Sequence, residues 1–474
     1  MEAVAKLSRE AYVEAMRAKL EELLARVADA VNDAPPGRVL DGSEEQVRDR
    51  FARFRQPADE TAVQMRVDAA EAASPPPTDP QTGKRQRHKG RMAHHLLPAN
   101  DWVRVERTCR YGPGPGSRTP ADASLDAAFA TASRGARELA CRLNQSARRS
   151  DKAAEDLGRA AQIRLSGEKR RPLVESEGKA VLAAQRSGAL DLGGQARDCR
   201  TEAGPSRVSL GSDGVKVPVV TDAEKRGRRQ KVKAKRRRRG RTCRPRPRAK
   251  AGADQEYKEF KIVASYSEDQ EHRHVTVTRG DCEVAGRLMR RDAARIRLDG
   301  ADEKVANVDG ADWIKNQIQR QSLPMDAVGL DFYHLADNVH KARRAAFGEE
   351  DEAGRAWAAE VLHAAKHQGY AALWERRTAW RAELRSPQKR AAADGLLHYV
   401  AKREEMIRYP EFQSKGWQIG SGPTEAMCKT TTARLKGSGM RWDADNAEAV
   451  MALDALEQSG EWKLYWRSRL RPTG

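Results

Sequence analysis

The sequence lacks any apolar run that approaches the roughly 20 residues needed to span a bilayer. Its amino terminus opens with charged, helix-favouring residues, a pattern that indicates neither membrane insertion nor export. No Cys-x-x-Cys pair occurs, because the six cysteines lie far apart. They are Cys109, Cys141, Cys199, Cys243, Cys282 and Cys428. Scattered thiols fit a reducing compartment better than a disulfide framework, so we expect a cytoplasmic protein with free cysteines.

Zinc-ligand spacing is also missing from the sequence. Residues 101–115 combine a short alternating strand with a Gly-Pro turn, and only Cys109 stands there at a position suited to a zinc ligand. A closed structural zinc site needs four ligands, and nothing pairs with Cys109 at metal spacing. We therefore expect no structural zinc.

Positive charge dominates what is present. The 474 residues include 88 Lys and Arg against 68 Asp and Glu, which gives a formal net charge of +20. This balance favours a polyanionic partner, because each neutralised phosphate releases condensed counterions, and nucleic acid is the obvious candidate. The length exceeds what one hydrophobic core usually supports, so two to four structural units are expected.

The first hundred residues are predicted to be helical and then mobile. Residues 1–33 have the pattern of one amphipathic helix. Its apolar stripe is formed by Leu20, Leu23, Leu24, Val27 and Val31. The stripe either packs on the protein's own body or pairs with another chain to make a homo-oligomer. Residues 34–95 contain clustered prolines and the basic stretch Lys84–Lys89, which predict a flexible linker.

Residues 96–200 are predicted to form a small ribbon followed by a mainly helical DNA-binding region. Residues 151–162, a turn near Gly167 and the segment from Glu168 onward resemble a helix-turn-helix, although Pro172 weakens its second helix. Flanking basic residues favour contact with DNA, and a helical hairpin without DNA contact is the alternative. These basic residues are Arg148, Arg149, Lys169, Arg170 and Arg171.

The densest charge of the protein lies in a block at residues 223–254. The block includes Lys231, Lys233, Lys235, Arg236, Arg237, Arg238 and Arg239. Like charges at this density repel one another, which predicts a disordered loop that grips DNA with steep salt dependence. The alternative is a loop that only aids solubility.

Strand patterns begin at residue 208. Strands are predicted at 208–220, 257–266, 274–278, 304–308 and 326–330, with helices over 282–298 and 313–320. This order is that of an RNase H-like α/β core with a mixed five-stranded sheet, and it assigns 205–340 and 411–460 to the core. Residues 341–410 are predicted to form an all-helical insertion, and residues 461–474 a tail.

Three acids are predicted to converge at one edge of this sheet. Asp213 shares the parity of the buried Val215 and Val217, Asp309 ends the fourth strand, and Glu425 follows a glycine turn at the third position of a helix. A turn residue, a helix cap and a dipole-stabilised glutamate are the structural alternatives. Asp312 is better placed than Asp309 to cap the next helix, which leaves Asp309 freer for a metal.

Three carboxylates from separate elements suit one or two Mg²⁺ or Mn²⁺ ions, which activate an attacking oxygen and stabilise the leaving one at phosphorus. Clustered acids also raise each other's pKa, so the predicted activity depends on metal and falls at acid pH. Basic residues after the third acid predict contact with substrate DNA. They are Lys429, Arg434, Lys436 and Arg441.

Three stretches resemble bacterial insertion-sequence transposases of the ISKra type. They are Val308-Asp-Gly-Ala-Asp-Trp-Ile, Leu330-Asp-Phe-Tyr-His-Leu, and Tyr409-Pro-Glu-Phe through Ile419-Gly-Ser-Gly-Pro-Thr-Glu to Leu435-Lys-Gly-Ser-Gly-Met-Arg-Trp. The resemblance covers roughly residues 90 to 470. It implies DDE-type cleavage and strand transfer at element ends, with Asp213, Asp309 and Glu425 as the acidic triad. It also implies a nucleoid-associated protein when DNA is bound.

Two further residues and one departure accompany this resemblance. Related transposases also have an aspartate before an aromatic residue and a histidine, so Asp331 rivals Asp309 as the second acid. His334 either approaches the scissile phosphate or caps its helix. Gly112 stands where relatives have the second cysteine of a zinc ribbon. Two other functions stay open: a nuclease of the same fold that cuts without joining, and a catalytically decayed DNA-binding protein.

Overall fold

A computed structural model describes residues 6–73, 76–78, 82–112, 117–125, 131–147, 149–243, 245 and 254–469. The chain forms two compact units, Met1–Val174 and Glu175–Gly474. The boundary lies earlier than the one predicted near residue 200, and a helix runs through it. No helix in the described ranges is both long and apolar enough to cross a membrane.

The first unit combines helices with a three-stranded sheet. Its helices are α1 (Arg9–Asn32), α2 (Val39–Ala73), α3 (Arg134–Ser146), α4 (Ser150–Ala161) and the start of α5 (Gly167–Ser187). Its antiparallel strands are β1 (Arg87–Leu96), β2 (Val103–Tyr111) and β3 (Ser117–Arg118). Strand β2 alternates buried and exposed residues, and its Val103 and Val105 pack with Val67 of α2.

The linker predicted for residues 34–95 is wrong over most of its length. Helix α2 occupies Val39–Ala73 and β1 begins at Arg87. The clustered prolines on which the linker prediction rests lie outside α2, which contains Pro57, and helix-favouring residues fill the segment between them. Tyr12 of α1 donates a hydrogen bond to the Ala58 carbonyl at 3.2 Å, which ties the two helices together.

The apolar stripe predicted on α1 is only partly covered. Leu23 is buried together with Met16 and Ala30, whereas Leu20 and Leu24 are about half exposed. Helix α2 therefore covers a face centred on Met16 and Leu23 rather than the whole stripe. Pairing of the exposed part with a second chain stays a prediction.

Helices α4 and α5 lie where the helix-turn-helix-like pair was predicted, and α5 continues through Pro172. One of the basic residues assigned to DNA contact is buried. The Arg170 guanidinium is fully enclosed and donates to Asn144 Oδ1 at 2.8 Å and to Ser150 Oγ at 2.7 Å. Arg170 thus joins α3, α4 and α5 and is not available to a phosphate, while Arg148 lies outside the described residues.

The second unit is a mixed α/β structure. Its strands are β4 (Arg207–Pro218), β5 (Tyr257–Tyr266), β6 (Arg273–Thr278), β7 (Glu303–Val308) and β8 (Ala327–Leu330). Its first helices are α6 (Asp222–Arg237), α7 (Cys282–Arg295), α8 (Asp312–Arg320) and α9 (Phe332–Phe347). The remaining helices are α10 (Glu352–Gln368), α11 (Tyr370–Glu383), α12 (Pro387–Ala401), α13 (Tyr409–Ser414), α14 (Gly422–Ala433), α15 (Ala444–Gln458) and α16 (Trp462–Ser468).

The five strands form one mixed sheet in the order β6-β5-β4-β7-β8. Strands β4, β5 and β6 are antiparallel, and β7 and β8 continue the sheet in parallel with β4. The β4–β7 pairing runs only from Arg207 opposite Glu303 to Leu210 opposite Ala306. The predicted mixed five-stranded sheet, with its first and fourth strands adjacent, is confirmed. Beyond Leu210, β4 has no further partner on β7.

The basic block predicted as a disordered loop over 223–254 is helical in its first half. Thr221 and Glu224 form a capping box at the start of α6, and Asp222 adds an acidic first turn. Lys235, Arg236 and Arg237 occupy the last turn, where cations interact favourably with the helix dipole. These end effects offset the repulsion between like charges. Residues 244 and 246–253 of the block lie outside the described residues.

The end of the chain and the insertion are both helical and both bury apolar residues. Residues 462–468 form α16 rather than a tail, because Trp462, Tyr465 and Trp466 recur at helical spacing and are buried. Residues 341–410 are helical as predicted. Their apolar residues, including Val361 and Leu396, belong to the same core cluster as Val308 of the sheet. The helical insertion and the sheet thus share one core.

A buried ion cluster joins β6 to α7 and to the start of α16. His274 Nδ1 lies 2.9 Å from Glu461 Oε1, and Nε2 lies 3.7 Å from Asp292 Oδ1, an ion-pair distance. Burial alone lowers the pKa of His274, but the two carboxylates outweigh it and raise this pKa to about 9. The imidazolium is therefore the favoured form at neutral pH.

We expect this cluster to make the stability of the protein fall at alkaline pH. Because the folded-state pKa lies above the ordinary value of about 6.5, the stabilisation is complete below that pH and is lost as pH rises through about 9. The loss should be roughly 3 kcal/mol in the free energy of unfolding. Urea unfolding from pH 6 to 10, followed by tryptophan fluorescence, measures it. His274→Gln should remove this pH dependence and His398→Gln should keep it; parallel curves for wild type and His274→Gln would contradict the assignment.

Candidate active site

The three predicted acids stand on three different elements. Asp213 lies in β4 beyond the last residue paired with β7, and Asp309 directly follows β7. Glu425 is the fourth residue of α14, one position later than predicted, because the helix begins at Gly422 and Pro423 is second. Helix α14 can approach β4 closely since Gly211 has no side chain; a Cβ there would collide with Thr424. This close packing carries Glu425 toward Asp213.

The three carboxylates line one open cavity of about 390 Å³. His334, Ser421, Lys429 and Lys436 lie in the same wall as the acids. All three acids are half-buried, so each keeps contact with solvent. The fold therefore brings the three predicted acids into the wall of one cavity.

Electrostatic coupling between the acids acts on Asp213. Burial raises the pKa of the Asp213 carboxyl, and the negative charges of Asp309 and Glu425 raise this pKa further. The Gly214 amide, which donates to Asp213 at 2.5 Å, lowers the same pKa. His334 counters part of this repulsion. A cation bound among the three acids would relieve this repulsion.

The described residues contain no group of three His, Cys, Asp or Glu side chains arranged to hold a metal ion as they stand. The carboxylates share a cavity without converging on one point. One Asp309 oxygen accepts the Ala311 amide at 2.8 Å and shapes the turn into α8, a capping role that the sequence pattern predicts for Asp312. The other oxygen of Asp309 accepts no hydrogen bond from the described residues. The donor chemistry of the three acids suits a hard divalent cation.

Asp331, the rival second acid, has a different environment. Its side chain is 1% exposed, and both oxygens accept hydrogen bonds. Oδ1 accepts the amides of Tyr333 at 2.6 Å and His334 at 2.9 Å, which caps α9. Oδ2 accepts the amide and the hydroxyl of Ser421, the latter at 2.6 Å. Asp331 therefore fastens the start of α9 to the turn before α14.

His334 lies beside the third acid. Its Nε2 is 3.4 Å from Glu425 Oε1, and both side chains are about two-fifths exposed. The backbone of His334 is held by Asp331, so the imidazole projects from a fixed helix end. Of the two predicted roles for His334, the capping role belongs instead to Asp331.

The four basic residues predicted after Glu425 divide into two pairs. Lys429 and Lys436 are exposed and line the acid cavity. Arg434 is 8% exposed, contacts Met440 and lies over the Trp442 ring at 5.4 Å. The assignment of Arg434 to DNA contact is therefore wrong.

Arg441 has internal partners as well. It pairs with Glu224 at 2.6 Å and donates to the Val219 carbonyl. Arg434 and Arg441 thus fix the loop after α14, and an ion pair within the protein opposes the predicted contact of Arg441 with DNA.

Other basic residues are exposed outside the cavity, and two more residues line it. The basic residues from Lys231 to Arg237 in α6, and Arg238 and Arg239 after its end, are exposed. Lys216 and Ser421 line the cavity too and were missed by sequence reasoning. Lys216 lies an odd number of residues after Asp213 on the same strand, so the alternation of side chains assigns it to the opposite face and gives no signal for it. Ser421 attracts attention only as part of the glycine turn, because its bond to Asp331 carries no sequence signal.

The chain is only weakly similar to known proteins. No family model and no curated protein matches the chain. Among solved structures, the Drosophila P element transposase strand transfer complex matches with 10% identity and a TM-score of 0.24, over 74% of this chain and 83% of that chain. So low a TM-score does not establish a shared function. The resemblance to ISKra-type transposases therefore stays a hypothesis.

We expect Asp331 and Asp309 to respond very differently to replacement. Asp331→Ala leaves four donors without their acceptor in a buried site and should lower the free energy of unfolding by about 3 kcal/mol. Asp309→Ala removes one half-buried hydrogen bond and should cost about 1 kcal/mol or less. Chemical denaturation of both variants provides the measurement. Equal losses would show that Asp331 does not fasten α9 to the turn before α14.

Proposed function

We propose that this protein is a metal-dependent DNA transposase of the DDE class, with an RNase H-like catalytic core, encoded by an insertion sequence. The observation that carries the proposal is that Asp213, Asp309 and Glu425 line one cavity together with Lys429 and Lys436. Acids from three separate elements beside two exposed lysines suit a phosphodiester better than a neutral or cationic substrate.

The sheet supports the same proposal. Three antiparallel strands followed by two parallel ones, with β4 in the centre, is the order expected of an RNase H-like core. In such a sheet the middle of β4 and the end of β7 lie at one edge. The first two acids occupy these positions.

Each side chain has a role in this proposal. Asp213, Asp309 and Glu425 would hold Mg²⁺ or Mn²⁺, which supplies charge stabilisation at the attacking and leaving oxygens. Lys429 and Lys436 bind the phosphates on either side of the cleaved bond. His334 orients the Glu425 carboxylate, from which it lies 3.4 Å away. Asp331 is a positioning residue. It accepts the His334 amide and the Ser421 hydroxyl, and so holds the helix ends that carry His334 and Glu425.

Cleavage and joining of DNA that carries the element ends tests the proposal. With Mg²⁺ or Mn²⁺, Asp213→Ala, Asp309→Ala and Glu425→Ala should each lower the rate by at least about a hundredfold while DNA binding persists. Asp312→Ala is the matched control, since this acid lies close to Asp309 in the chain and is exposed. Triad variants that keep wild-type rates would refute the site.

The same assay separates the competing functions. Cleavage without strand-transfer products would favour a nuclease, and binding without cleavage by the wild-type protein would favour a decayed transposase. The presence of all three acids in one cavity favours a working site over a decayed one.

Helix α6 is proposed to bind the DNA backbone. Replacing Lys231, Lys233, Lys235 and Arg236 by Gln should reduce the slope of log Kobs against log salt by about 0.9 for each phosphate that the variant no longer neutralises. A variant with the same charge change on the helical insertion should retain the wild-type slope. This control variant replaces Arg355, Lys389, Arg390 and Lys402 by Gln. Identical slopes for wild type and the α6 variant, measured by fluorescence anisotropy, would exclude α6 from DNA contact.

A further inference from the structure

A second cavity adjoins the one that contains the acids. It measures about 560 Å³ and lies between the far end of β4, the start of β5 and the loop after α14. Lys216 and Lys436 line both cavities and so stand at the junction between them. Within the described residues no ion pair engages either ammonium group, so both remain available to an anion.

An aromatic side chain forms part of the second cavity. Tyr257 is the first residue of β5, lies opposite Pro218 of β4 and is 58% exposed. Lys258, the next residue of β5, lies in the wall of neither cavity. An exposed tyrosine ring next to a cationic junction offers a flat apolar surface beside phosphate-binding groups.

The opposite wall permits close approach of a sugar-phosphate backbone. Gly437 and Gly439 line it, and Gly439 has a φ of +72° with open space where a side chain would be. The loop is anchored by Trp442, whose amide donates to the Pro218 carbonyl at 3.1 Å. Glu256 also lies in the wall and disfavours phosphate at that end, which places the phosphate near Lys216 and Lys436.

We propose that this second cavity binds an unpaired nucleotide next to the cleaved phosphate, with its base stacked on Tyr257 and its phosphate between Lys216 and Lys436. The inference rests on the proposed function and narrows its substrate to DNA with a single-stranded segment beside the reacting bond. A cavity of this volume is in the range that takes small molecules, which suits one or two nucleotides rather than a duplex. Stacking on an aromatic ring tolerates any base, so this subsite adds affinity without sequence preference.

The test measures, in EDTA, how tightly the whole protein binds two DNA probes that share one duplex sequence. One is a blunt hairpin duplex and the other carries an unpaired tail of thymidines with a single 2-aminopurine. We expect wild type to bind the tailed probe roughly tenfold more tightly and to quench the 2-aminopurine. Tyr257→Ala should lose most of this preference, and Tyr257→Phe should keep it. Lys216→Gln should weaken binding of the tailed probe, and Lys258→Gln is the matched control that should not.

Two outcomes would overturn the inference. One is an unchanged tail preference in Tyr257→Ala, and the other is equal binding of both probes by a wild-type preparation that cleaves DNA with metal. The second leaves the proposed function intact, because cleavage is measured separately. A wild-type protein that binds neither probe and cleaves no DNA would remove the proposed function together with the inference.

Discussion

The buried carboxylate of Asp331 is the constraint on which the candidate site depends. It follows β8, caps α9 and accepts both the amide and the hydroxyl of Ser421. Four donors on one enclosed anion leave little freedom to the two helix ends that supply them. His334 and Glu425 project from these ends, while Asp213 and Asp309 come from the sheet. Asp331 thus fixes the two helix ends relative to each other, and its own amide, which donates to the Val308 carbonyl at 2.8 Å, ties them to the end of β7.

Much of the sheet could be predicted from the sequence because its strands carry strong local patterns. The predicted limits of β5, Tyr257 and Tyr266, are those observed, since apolar residues alternate there and then run on into the core. The alternation of side chains along β4 and the order of the strands also predict that three acids lie at one edge of the sheet. That they share one cavity could be predicted, but the distances among them could not, because these depend on contacts such as Gly211 against Thr424.

Other features depended on contacts that sequence patterns do not contain. Arg170 and Arg434 have the same composition signal as a DNA-binding arginine, yet tertiary packing buries both. The summed charge of the basic block predicts a disordered loop, whereas the capping box at Thr221 starts helix α6 there. Asp331 and Asp309 both follow parallel strands, and only burial and hydrogen bonding distinguish a fastening residue from an accessible one.

Anomalous scattering from Mn²⁺ in crystals of the protein tests the assignment of the three acids most directly. We expect one or two peaks in the cavity, within about 2.2 Å of oxygens of Asp213, Asp309 and Glu425 and away from Asp331. Asp213→Asn crystals should lose at least one of these peaks. Mn²⁺ bound elsewhere with the cavity empty, or ligated by Asp331, would contradict the assignment.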